Sequence, residues 1–176
     1  MNLMNRLKMM TYASLFVALI AAGAFISIPT GPVPIVLQNM FVLLAGLLLG
    51  PRWGLASVSI YLLLGAFGLP VFAGGTGGIG RIIGPTGGYL IGYLPCVYAT
   101  GLIARKNNKS SLVDISAMIT GSLIVYAAGV TWLKFASGMD WEKAVTAGMY
   151  PFLPGDAVKI AAAAFIAPRL RPLIKG

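Results

Sequence analysis

Apolar residues run along most of this chain, and short polar or Pro-Gly clusters cut the run into six stretches. The first reads 9–28, MMTYASLFVALIAAGAFISI, and stops at PTGPVP (29–34). A second, 33–50, carries the polar pair Gln38 and Asn39 near its start and ends at Gly50-Pro51. The third, 53–69, is closed by Pro70. The fourth, 86–104, holds Pro95 as an expected kink, because a proline inside a helix removes a ladder hydrogen bond. The fifth covers 113–135 and the sixth 156–175. Crossing roughly 30 Å of hydrocarbon takes about 20 helical residues, close to the length of each stretch. The pattern predicts an all-α integral membrane protein with six transmembrane helices in a single domain, residues 1–176. The opening run is longer than a signal-peptide core and lacks a cleavage pattern, so it reads as the first span. The polar loop SGMDWEKA (137–144) leaves room for a short interfacial helix.

Composition supports this reading. Of the residues 58% are hydrophobic and only 10% charged, against about a quarter charged in soluble domains. No charge falls between Lys8 and Arg52, or between Arg52 and Arg81. The net charge of +9 does not point to nucleic acid, because the cations punctuate helix ends instead of forming one basic face. Counted over alternate loops, nine cations fall on one side: Arg6, Lys8, Arg52, Arg105, Lys106, Lys109, Arg169, Arg171 and Lys175. The other side has Arg81 and Lys143, with Lys134 and Lys159 flanking. The excess predicts that both termini and Asn108 are cytoplasmic, and that Thr76 and the loop between helices three and four face outward. The chain has no histidine and one cysteine, Cys96, which leaves no imidazole chemistry and no disulfide framework. No nucleophile–base pair or metal cluster is visible, so the expectation is a non-enzyme with no cofactor and no metal.

Glycine is concentrated in VFAGGTGGIGRIIGPTGGYLIGY (71–93), where eight glycines lie between Gly74 and Gly88 around a single charge, Arg81. Such a run serves either backbone at φ > 0 or amides brought close to a ligand, the plainer alternative being a flexible connector. Irregular backbone between membrane spans belongs at the surface or over a water-filled cavity, since lipid cannot satisfy its polar groups. Gly75, Gly77 and Gly80 spell GxGxxG, but a membrane span precedes them and the next acid is Asp114, so a dinucleotide site is rejected. No GxxxxGK[ST] occurs, so any ATP-driven function needs a partner ATPase.

Asp156 and Lys159, at i and i+3, share one face of the sixth helix and enter an alanine-rich apolar run. Intramembrane ionisable groups usually face a cavity and mark function, although a surface pair at a helix start is the simpler alternative. With Arg81 they offer two cations and one carboxylate, a set that suits a small anion with hydrogen-bonding groups. Gly75, Gly77 and Gly78 add candidate backbone donors, and Tyr89, Gln38 and Asn39 complete the candidate lining. Ser14, Ala18 and Ala22 recur every four residues in the first span; small residues allow close helix approach, either inside the fold or against another membrane protein. A homo-oligomer would use such a surface too. A self-sufficient proton-coupled carrier for a small organic anion, working through Asp156, is the alternative function.

The runs IPTGPVPIVLQNMFVLLAGLLLGPRWG, GLPVFAGGTGG, GPTGGYLIGY and PFLPGDAVK together resemble the BioY family, the biotin-binding S components of energy-coupling factor (ECF) transporters. The resemblance covers nearly the whole chain. It implies a six-helix protein of the cell membrane that captures biotin from outside. It further implies a transmembrane coupling subunit and two cytoplasmic ABC-type ATPases as partners, with Ser14, Ala18 and Ala22 facing the coupling subunit. Arg81 lies between the motifs that carry the resemblance.

Overall fold

The computed structural model describes residues 3–29, 31–105 and 110–175. Lys106, Asn108 and Lys109, used above to orient the chain, lie outside the described residues, as does the Lys175 side chain. Helices dominate: α1 (Leu3–Phe25), α2 (Gln38–Ala66), the short α3 (Ile79–Ile83), α4 (Gly87–Arg105), α5 (Ser111–Ser137), α6 (Trp141–Gly148) and α7 (Leu153–Lys175). Four of them, α1, α2, α4 and α5, are long and apolar enough to cross a membrane. α7 is 23 residues long but carries charges at both ends. Between α1 and α2 the Pro-Gly segment forms a two-stranded hairpin, β1 (Ser27–Ile28) against β2 (Ile35–Val36), where only a loop was expected.

Stretches two and three of the sequence lie in one element, α2, which Gly50 interrupts at φ 76 and ψ −178. Only glycine adopts that backbone readily, and Pro51 follows it. The two halves then fold back on each other. A Cβ placed on Gly54 would come within 3.2 Å of the Ala45 carbonyl oxygen. In an unbroken helix those residues would stand about 13 Å apart. α4 packs against this corner through absent side chains: a Cβ on Gly101 would meet the Pro51 nitrogen at 2.5 Å, and one on Gly46 the Val97 carbonyl at 2.8 Å.

α5 runs antiparallel to α7, since Tyr126 of α5 meets Asp156 near the start of α7 while Asp114 meets Arg171 near its end. Arg171 Nη2 donates to both oxygens of the buried Asp114 carboxylate, at 2.8 and 2.9 Å. Arg171 was expected only as a topogenic charge, and its pairing with Asp114 was not foreseen. The Tyr12 hydroxyl donates to the Leu173 carbonyl at 2.9 Å and ties α1 to the same end of α7. At the opposite end, Trp132 Nε1 donates to the Gly84 carbonyl at 2.9 Å, and the Tyr89 hydroxyl donates to that of Gly148 at 2.7 Å. The polar loop after α5 does form a helix, α6.

The glycine-rich segment is a folded cap. Gly74, Gly75 and Gly78 sit at φ 71, 70 and 95, and Phe72 bridges to Thr76. Gly78 N–H donates to the Gly65 carbonyl at 2.7 Å, and the Tyr61 hydroxyl donates to that of Val71 at 3.0 Å. The Phe72 ring is buried edge-on to Tyr61, in space left free by Gly65. A flexible connector would make none of these contacts.

Candidate functional site

Asp156 enters the protein in the first turn of α7, where the helix dipole favours a carboxylate. It is 6% exposed and Lys159 9%, so the pair is interior and not a surface ornament. Lys159 Nζ lies 2.9 Å from Asp156 Oδ1. Asn39 Nδ2, from the start of α2, donates to the same oxygen at 2.8 Å. The Tyr126 hydroxyl of α5 donates to Oδ2 at 2.5 Å. Three helices therefore converge on one carboxylate, and each donor removes part of the cost of burying it.

These residues line a partly open cavity. Its polar lining includes Gln38, Asn39, Arg81, Tyr89, Asp156 and Lys159 from the sequence-derived set. Leu43, Phe72, Leu90, Val125 and Phe152 supply an apolar wall. Arg81, on α3, is exposed and stands at the mouth, where it also borders an outer recess shared with Gly77, Gly80 and Gly84.

Of the glycines proposed as backbone donors, Gly75, Gly77 and Gly78 are not part of the cavity lining, to which this segment contributes Ala73 and Thr76. Gly77 presses on the Leu69 carbonyl so closely that no Cβ fits. The glycines shape the cap. Tyr126, Tyr93 and Ser122 line the cavity without having been anticipated as site residues. Tyr126 was legible in principle, since a phenol in the middle of an apolar span needs a hydrogen-bond partner. Tyr93 carried the same signal. Ser122 gave no signal, because serine packs in membrane helices without any site.

Ser14, Ala18 and Ala22 are all exposed on α1. The opposite face, Ala13, Phe16, Val17 and Ile20, packs into the protein. The small-residue stripe therefore does not serve contacts within the chain.

Comparison with known proteins agrees with this architecture. A crystal structure of the S-component for biotin from an ECF-type ABC transporter superposes with a TM-score of 0.92 and 34% identity, covering 98% of this chain and 95% of that one. The biotin transporter BioY of Thermotoga maritima is 44% identical over 167 residues, 95% of this chain and 98% of the relative. A probable biotin transporter BioY of Pyrococcus horikoshii is 45% identical over 164 residues, 93% and 96% of the two chains. The BioY family model matches residues 1–176. The chain is a multi-pass membrane protein that belongs to the BioY family.

Proposed function

We propose that this protein is the biotin-binding S component of an ECF-type transporter, capturing biotin in the cavity above Asp156 and Lys159. The observation that carries the reading is the buried carboxylate with its unfinished hydrogen bonding. A carboxylate accepts about four hydrogen bonds, and Asp156 has three donors, which leaves one site on Oδ2 for a ureido N–H. Lys159 donates once to Asp156, which leaves two N–H groups for a ureido oxygen. The apolar wall suits the thioether ring, and Arg81 at the mouth suits the valerate carboxylate. The protein is a transport subunit, not an enzyme, and its energy comes from two cytoplasmic ATPases through a coupling subunit docked on α1.

In this reading the fold-back at Gly50 makes two spans of α2 and α7 makes the sixth. Both termini are cytoplasmic and the cavity opens outward. Cysteines introduced at Ser110 and Thr76 test this in cells: a membrane-impermeant thiol reagent should label Thr76→Cys and spare Ser110→Cys. Labelling of Ser110→Cys from outside would reverse the orientation.

Titration calorimetry on the detergent-purified chain tests binding, and absence of biotin binding would reject the proposal. The same measurement assigns Arg81. Arg81→Ala should weaken biotin by about tenfold, the effect of one charge-assisted contact at a wet site, and leave biotin methyl ester nearly unaffected. Equal losses for acid and ester would remove Arg81 from the carboxylate.

A further inference from the structure

One cavity-lining hydroxyl, that of Ser122, finds no hydrogen bond among the described residues. Ser122 is 8% exposed. Most buried polar groups find a partner, because leaving one unmade is destabilising. Ser122 Oγ has none among the described residues, although a serine on a helix readily bonds the carbonyl four residues back, as Ser57 does to Trp53 at 2.9 Å. Its position is equally informative. Ser122 lies one turn from Tyr126 on the same face of α5, about 6 Å further from the mouth. Lys159 is likewise about one turn deeper than Asp156 along α7. Both groups therefore lie deeper in the cavity than the Asp156 carboxylate, away from Arg81.

We infer that Ser122 is a specificity-determining residue whose hydroxyl reads the polar ring end of the ligand deep in the cavity. This rests on the proposed binding of biotin, with the bicyclic ring deep and the carboxylate toward Arg81. An apolar floor would hold a simple fatty acid as well as a cyclic urea. A floor with an unpaired hydroxyl disfavours the fatty acid, which cannot satisfy it, and favours a ring that carries heteroatoms. The same hydroxyl makes the empty site less stable than an all-apolar one, a trade of stability for recognition.

That trade gives the test a signature that packing alone cannot imitate. Ser122→Ala is measured in the detergent-purified full chain, by titration calorimetry with biotin and by thermal unfolding without ligand. The variant should bind biotin roughly two- to tenfold more weakly while its ligand-free melting temperature stays level or rises. Octanoate, a carboxylate without a ring, should bind the variant as well as or better than it binds the unmodified protein. If Ser122→Ala does not fold, Ser122→Cys supplies a near-isosteric side chain with a much weaker donor, and the same loss is expected. Unchanged biotin affinity would overturn the inference, as it would if water serves the floor in both states. Loss of affinity together with a lowered melting temperature would overturn it too. Failure of the unmodified protein to bind biotin would instead reject the functional reading itself.

Discussion

Asp156→Asn should lower biotin affinity by at least about tenfold, and Lys159→Ala by a comparable factor. An amide keeps the shape of the carboxylate but turns half of it into a donor. Tyr126, Asn39 and Lys159 all donate to Asp156, so the amide nitrogen would face at least one N–H or O–H that needs an acceptor. The ligand's N–H would then compete for the single remaining oxygen. Removing Lys159 takes away the donors available to the ureido oxygen and leaves a buried carboxylate without its cation. Removing one partner of a buried ion pair costs about 3–5 kcal/mol, so both variants should also melt earlier. Charge-assisted hydrogen bonds are worth about 1.5–3 kcal/mol, and each 1.4 kcal/mol is a factor of ten in binding. Because the two residues touch at 2.9 Å, the double variant should lose less than the sum of the single losses. Calorimetry on folded variants decides the point: if both single variants bind biotin like the unmodified protein, the ligand is not held by α7.

Ala18→Trp should abolish uptake and co-purification with the coupling subunit while changing biotin affinity less than about twofold. The separation of effects follows from geometry. Ser14, Ala18 and Ala22 are exposed, whereas the α1 residues that pack inward are Ala13, Phe16, Val17 and Ile20. A large side chain at position 18 therefore meets lipid or a partner, not the core. Lipid accommodates an indole, whereas a partner helix packed against alanine does not. Overpacking a tight contact costs about 1–3 kcal/mol, and a bulky ring forces two helices apart across several contacts at once. Uptake assays and affinity pull-down in cells expressing the full transporter, with calorimetry on the isolated chain, separate the outcomes. Lost biotin binding with intact assembly would assign the stripe to the protein's own architecture.

Much of this molecule could be read along the chain. Unbroken apolar runs between charges determined that it lives in a membrane, and prolines and glycines marked where the runs stop. The i, i+3 spacing of Asp156 and Lys159 determined that they share a face, and their entry into an apolar helix marked them as a site. The motifs of the glycine-rich segment and of PFLPGD were enough to suggest the family. What the sequence could not assign was which side of each helix faces inward. In a soluble helix the polar face answers that question; here lipid and protein interior are equally apolar, so the pattern is nearly silent. Tertiary structure alone decided that Ser14, Ala18 and Ala22 look outward and that Asp114 holds Arg171. It also decided that Tyr126 and Asn39 converge on Asp156 from helices 30 and 117 residues away in sequence. The glycines illustrate the same divide. Their number announced an irregular segment, but positive φ and the space taken by Phe72 and Leu69 made them a cap, with Ala73 and Thr76 turned to the cavity. Hydrogen bonds between distant elements are chosen by packing, and packing is a property of the folded chain.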